Sequence, residues 1–110
     1  MSFSENKGRI LENIVFVELK RRGKEIFYFS EKNECDFIIK EDTKAKEAIQ
    51  VCYNLNDENW KREIDGILEA METFNFKTGL ILTQEQEDEK IINGKKIIIK
   101  PVFRWLLEHE

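Results

Sequence analysis

Apolar residues crowd the first helix-length segment of the chain at Ile10, Leu11, Ile14, Val15, Phe16, Val17 and Leu19. At about 100° per residue they cover well over half of a helical circumference, leaving Arg9, Asn13 and Lys20 as the clear solvent stripe. The pattern predicts a helix from Lys7 to about Arg22, closed by Gly23 and packed on several sides. Two carboxylates fall awkwardly within it: Glu12 lies beside Leu19 at the edge of the apolar arc, and Glu18 near its middle. A buried carboxylate is costly unless it is paired, protonated or bound to a metal.

Beyond Gly23 the period changes. Glu25–Ser30 is a dense aromatic strand, followed by a polar turn at 31–33. Glu34–Lys40 and Glu47–Tyr53 read as second and third strands, with 41–46 as the hairpin loop between them. A helix is expected from about Asp57 to Phe74, capped by Asn56 or Asp57. Trp60, Ile64, Ile67, Leu68, Met71 and Phe74 give it one apolar stripe. Thr78–Thr83 is a buried strand and 85–90 an acidic, solvated loop; 91–97 is an Asn-Gly hairpin, and Phe103–Leu107 a short helix after Pro101. The expected order is α-β-β-β-α-β-β-α. That is an α/β (mixed α+β) fold, a central mixed sheet of four to five strands flanked by helices.

Composition narrows this picture. The 110 residues are 41% hydrophobic, which suits a single domain over 1–110 with its own core. No apolar run approaches the ~20 residues of a membrane span and no signal peptide is evident, so the expectation is cytoplasmic, without a membrane partner. Two cysteines without a Cys-x-x-Cys exclude a zinc ribbon or a disulfide scaffold. No G-x-x-x-x-G-K-[S/T] occurs, so no ATPase domain is present and ATP is not expected as a cofactor. The net charge is −4, against a surface that binds nucleic acid throughout. The charge is uneven: residues 1–40 hold 8 basic and 7 acidic side chains, and residues 41–110 hold 10 and 15. Lys20, Arg21, Arg22 and Lys24 form a basic knot. It reads either as cations opposing a helix dipole or as a phosphate-contacting patch.

The second hairpin carries the candidate chemistry. With residues pairing where their numbers sum to 86, Asp36 faces Gln50 and Glu34 faces Cys52, and alternation puts all four on one sheet face. Glu12 completes the group from the helix above. Glu12, Asp36 and Gln50 are hard oxygen donors of the kind that suits Mg²⁺ or Mn²⁺. Metal-dependent phosphodiester cleavage needs such an ion to activate water, with a lysine beside it. Its sequence pattern is an Asp, a spacer of about 10–20 residues, then Glu/Gln-x-Lys. Here Asp36 is followed by Gln50-Val51-Cys52, a thiol in the lysine position. The plainer reading makes Asp36 a strand end and Gln50 a partner for a neighbouring backbone group.

The stretches at 8–29 (GRILENIVFVELKRRGKEIFYF), 34–40 (ECDFIIK), 47–55 (EAIQVCYNL), 62–71 (REIDGILEAM) and 94–108 (GKKIIIKPVFRWLLE) together resemble one family. It is the C-terminal domain of unknown function of archaeal and bacterial AAA-type ATPases, itself similar to the PD-(D/E)XK, restriction-endonuclease-like superfamily that includes Holliday-junction resolvases. The resemblance implies Glu12 as the helix glutamate, Asp36 as the metal-binding aspartate and Gln50 at the Glu/Gln position. Cys52 stands where the lysine should be. It implies Mg²⁺ or Mn²⁺ at Glu12, Asp36 and Gln50, and DNA as ligand, contacted by Lys20, Arg21, Arg22, Lys61 and Arg62. Lys20, Lys61 and Arg62 are the cations that could replace the lysine. The chain is then at most a Mg/Mn-dependent nuclease, expected to be catalytically degenerate. The alternative is a non-catalytic docking or protein-interaction module associated with an AAA-type ATPase. Expected partners are DNA, the ATPase domain or another protein, and a second copy of the chain in a homodimer.

Three remaining features have bland readings. Cys35 and Cys52 are free thiols pointing to opposite faces, Tyr28 is the aromatic free to reach a polar partner, and His109 is a solvated end.

Overall fold

The computed structural model describes residues 3–108, so His109 lies outside the described residues. Its elements are α1 (Phe3–Arg21), β1 (Glu25–Ser30), β2 (Glu34–Glu41), β3 (Lys44–Val51), α2 (Trp60–Phe74), β4 (Thr78–Thr83), β5 (Asp88–Ile92), β6 (Lys95–Pro101) and α3 (Val102–Leu107). The protein is α+β, with three helices and one mixed sheet of six strands in the order β1-β2-β3-β4-β6-β5. β3, β4 and β6 run parallel in the middle; β1–β2, β2–β3 and β5–β6 are antiparallel. No helix among the described residues is long and apolar enough to cross a membrane.

The sheet is larger than the expected four or five strands because the Asn-Gly signal builds two full strands. Asn93 and Gly94 both adopt positive φ, 52° and 76°, the conformation a two-residue primed turn requires. Half of the expected acidic loop is thereby recruited into β5, an edge strand. The first long hairpin also closes more tightly than the polar stretch 41–46 suggested: Glu41 pairs with Lys44 around Asp42 and Thr43, after a register shift between Ile39 and Lys40.

Two cores form, one on each side of the sheet. α2 packs Ile64, Ile67, Leu68 and Met71 onto Ile38, Ala48 and Ile81. On the other face α1 contributes Leu11, Val15 and Leu19, and α3 contributes Val102 and Trp105, over Phe37, Ile39, Ile49 and Leu82. α1 is therefore not packed on several sides. One narrow stripe is buried, while Ile10 and Val17 are each 55% exposed. α2 also starts later than expected, at Trp60. Asn56 and Asn59 bond reciprocally (Asn56 N–H to Asn59 Oδ1, 2.9 Å; Asn59 N–H to Asn56 Oδ1, 3.1 Å), which holds the preceding residues as a turn.

The end of α1 explains Glu18. Gly23, at φ 76°, lets its own N–H reach Lys20 O (2.9 Å) and the Lys24 N–H reach Leu19 O (3.0 Å), a six-to-one closure. Glu18, 9% exposed, accepts from Arg21 Nε (2.8 Å), Arg21 Nη2 (2.6 Å) and Arg22 Nε (2.7 Å). Those bonds hold its carboxyl well below the usual range, at about 2. Arg22 also donates to Trp105 O and Glu108 O, both at 2.9 Å, and lies 4.5 Å from the Trp105 ring centroid. It therefore ties α1 to α3. Arg22→Ala is expected to lower unfolding free energy by about 2 kcal/mol, since charged hydrogen bonds are lost and Glu18 gives up a partner. Lys20→Ala, at an exposed position, should stay within about 0.5 kcal/mol in the same urea titration.

Candidate functional site

At the end of the sheet where β2 begins and β3 finishes, the two strands part. Their backbone pairing stops at Phe37–Ile49, so Asp36 and Gln50 are joined by side chains instead of by a ladder. The Gln50 carboxamide, 3% exposed, lies in the gap. Its oxygen accepts the Asp36 N–H (3.0 Å), and its nitrogen donates to Glu34 O (3.1 Å) and to Glu63 O on α2 (3.3 Å). Asp36 answers across the gap, its Oδ2 accepting the Val51 N–H at 2.8 Å. The amide of Gln50 thus replaces a missing rung and anchors α2 to both strands.

This close approach depends on Gly66. A Cβ there would enter the Glu34 carbonyl oxygen and lie 2.8 Å from Gln50 Nε2. A second irregularity fixes the direction of Asp36. Between the pairs Phe27–Ile38 and Phe29–Cys35, β2 spends one residue more than β1, a bulge that interrupts alternation. Cys35 consequently joins the α2-facing core with Cys52, which corrects the expectation that the thiols face opposite sides. Both thiols are free. Glu34, Asp36, Gln50 and Cys52 do not form the uniform row that strict alternation would give.

The bulge brings Asp36 to Glu12. Burial pushes the Asp36 carboxyl up to about 7 against the opposing Val51 N–H; the charges of Glu12 and Glu63 and a hydrogen bond with Glu12 raise it further. Glu63 is also pushed up, first by burial, with the Arg62 guanidinium opposing. Glu12, Asp36 and Glu63, with Glu34 beside them, therefore line a cleft of about 700 Å³, walled by Arg9 on α1, by Tyr53, Asn54, Asn56 and Asn59 after β3, and by Arg62. Cys52 lies in its floor. Asn59 Nδ2 stands 3.5 Å from the sulfur, and burial pushes the thiol up to about 11, so the group is neutral. The neighbouring Glu34 carboxylate, together with burial, pushes the Tyr28 phenol up to about 12.

Glu63 escaped the sequence reading, although a signal was present. It lies three residues after Trp60 and four before Ile67, on the edge of the α2 apolar stripe, where a carboxylate is as conspicuous as Glu12 is on α1. Of the five expected DNA-contacting residues, Arg62 alone lines the cleft. Arg21 and Arg22 are held by Glu18, Lys61 by Asp65 at 2.6 Å and Arg62 by Glu63 at 3.2 Å. Lys20 is exposed on α1.

The divalent cation implied by the resemblance can be tested on this donor set. Among the described residues, no group of three or more His, Cys, Asp or Glu side chains is placed to hold a metal ion. The Gln50 oxygen and Asp36 Oδ2 each accept a backbone N–H, which turns one lone pair of each toward the strands. As arranged, Glu12, Asp36 and Gln50 do not fit a hard-cation site, which needs convergent oxygens at about 2.0–2.6 Å.

The uncharacterized protein MJ1544 of Methanocaldococcus jannaschii is 42% identical over 120 aligned positions, covering 99% of this chain and 27% of that protein. The chain thus spans about a quarter of the length of this relative. Residues 7–103, nearly the whole sequence and all of the cleft, match one family, and the chain belongs to it: the domain of unknown function DUF4143.

Proposed function

We propose that this domain is a restriction-endonuclease-like module that has lost phosphodiester cleavage and serves as a non-catalytic docking unit of a longer, AAA-type ATPase polypeptide. The observation that carries the reading is the state of Cys52. At the position where a metal nuclease keeps an ammonium, a neutral, buried thiol lies against Asn59. A thiol carries no fixed positive charge and is only a weak donor, so it cannot stabilise a scissile phosphate. Gln50 supports the same reading, because its carboxamide is engaged in holding strands and helix together. So do the cations, four of which already face carboxylates. The 27% share of MJ1544 fits a unit that works inside a larger chain.

The test is cleavage of linear, flapped and four-way DNA with Mg²⁺ or Mn²⁺, by wild type and by Cys52→Lys. Wild type is expected to leave every substrate intact. Cys52→Lys alone is also expected to stay inactive, because the Gln50 oxygen remains bonded to the Asp36 N–H. Cleavage by wild type that disappears in Asp36→Ala would overturn the proposal.

A second reading, a metal-dependent nuclease on DNA, is favoured by one specific observation: Glu12, Asp36 and Glu63 gather in an open cleft with Arg62 on its rim. Calorimetric titration of Mn²⁺ separates the two readings. Binding by wild type that is lost in Asp36→Ala would favour the second, and no heat from either protein the first.

A further inference from the structure

At the end of the sheet opposite the cleft, β3 and β4 separate. Their parallel pairing has three rungs, Ile49–Leu80, Gln50–Ile81 and Val51–Leu82, and none before Ile49. β3 nevertheless begins at Lys44 and β4 at Thr78, so the flank of β3 that faces β4 has no rung over 44–48. The ladder on the other side of β3 is irregular here as well. Between the pairs Ile39–Glu47 and Lys40–Ala45, β3 spends one residue more than β2. Lys46 is that extra residue, and a bulge of this kind re-aims a side chain.

The opening continues into a groove of about 570 Å³, with Phe76 and Trp105 in its walls. Leu80 and Ile98, paired neighbours on β4 and β6, form its floor. Both stay half-buried, because the α1–α3 layer seals Leu82 and leaves this end of the face open. Parallel strands are normally covered on both faces, so an apolar floor left open is unusual.

Four cations and two carboxylates line the groove. Arg22 is held by Glu18, Trp105 O and Glu108 O, Lys100 is held by Glu108, and Glu47 has a partner of its own. Lys46 and Lys77, both exposed, have no ion pair or side-chain hydrogen bond among the described residues. Lys77 is set in place by the backbone around it. Asn75, at φ 61°, ends α2, the Phe76 N–H reaches Met71 O at 2.8 Å, and Lys77 O accepts the Lys96 N–H at 2.9 Å. The chain also shows what suits a cation of this groove. Glu108 leaves α3 in extended backbone (φ −81°, ψ 137°) and lays its carboxylate on Lys100, both oxygens at 2.9 Å.

We propose that this groove docks an extended, acidic segment of a partner protein. Its backbone runs along the open flank of β3, its carboxylates meet Lys46 and Lys77, and its apolar side chains cover Leu80 and Ile98. Alternation along one strand gives such a segment an acidic face and an apolar face at once. The inference deepens the docking reading and rests on it for the existence of a partner. DNA cleavage tests that reading and peptide binding tests this one, so either can fail while the other stands.

Fluorescence anisotropy of a labelled octapeptide that alternates glutamate and valine, titrated with the 110-residue chain, is the test. Saturable binding is expected, weakening as salt is added. Lys46→Ala and Lys77→Ala combined in one chain should raise the dissociation constant about tenfold. The backbone amide resonances of 46–48 should shift as the peptide binds. Both lysines are exposed, so thermal melts of the double variant followed by circular dichroism should match wild type. Four results would overturn the proposal: no binding of the alternating peptide; binding that the double variant leaves unchanged; equal binding of a glutamate-only octapeptide, the mark of charge without the apolar floor; or displacement of the peptide by a short DNA duplex, the mark of a surface for phosphate backbones.

Discussion

Replacing Gly66 by alanine is expected to cost the domain about 3 kcal/mol or more, an effect unusual for the addition of one methyl group. Nothing about helix propensity suggests this, because alanine is the better helix former and should gain up to about 1 kcal/mol. The loss comes from what α2 touches. The new Cβ would occupy the space of the Glu34 carbonyl oxygen and press on Gln50 Nε2 at 2.8 Å, and a backbone carbonyl cannot swing away as a long side chain can. Relief requires α2 to lift from the sheet, which breaks the Gln50 bonds to Glu34 O and Glu63 O. Those are buried polar groups whose partners are costly to lose. Gly8→Ala is the matched control. It also lies in a helix and on the cleft, yet nothing stands within 4 Å of its added Cβ, so it should be neutral or stabilising by a few tenths of a kcal/mol. Urea titrations of the two variants decide the matter. Equal stabilities would mean that α2 does not bear on Glu34.

Stability should fall, by on the order of 3 kcal/mol, as pH rises from about 4 to 8. Asp36 ordinarily ionises near 3.8 and is held up to about 7 in the fold. Between those values the folded protein binds a proton that the unfolded chain has released, so raising the pH favours unfolding. The contribution is complete below the unfolded value and is lost as pH climbs through about 7. Glu63, shifted the same way, adds to the slope. At the acid end Glu18 acts in the opposite sense. Its carboxyl lies at about 2 rather than 4.5, so the stability it brings is present above its unfolded value and disappears as pH falls through the folded one. A maximum near pH 4 follows, where the two opposing slopes cancel. Asp36→Asn keeps an oxygen for the Val51 N–H but has no charge to bury. It should flatten the neutral limb and exceed wild type by about 2 kcal/mol at pH 8. A slope that persists in Asp36→Asn would place the titration elsewhere.

The elements were legible wherever local chemistry decides them. Gly23 stops α1, Asn93-Gly94 turns β5 into β6, and the Trp60–Phe74 stripe marks the buried face of α2, because a cap, a primed turn and a helical period each act within a few residues. Two things could not be read. The arc of α1 shows which residues are apolar but not how many faces find a neighbour, so Ile10 and Val17 were expected inside. Alternation likewise assumes an unbroken pleat, and the bulge before Ile38 breaks it. That is why Cys35 changed face, and why Asp36 meets Glu12 beside the gap that Gln50 fills. In the candidate site, residue type and spacing singled out Glu12, Asp36 and Gln50. The role of Gln50 as a structural amide, and the presence of Glu63, depended on where α2 lands.

Gln50 has been enlisted by the architecture in a way that constrains what this position can become. A glutamate there would offer oxygen to two carbonyls, Glu34 O and Glu63 O, that now receive N–H groups, while adding charge beside Asp36. Placing a carboxylate at position 50 would therefore first require β2, β3 and α2 to be sutured some other way. The fold depends on the amide, and replacing it by a carboxylate at this residue alone runs uphill.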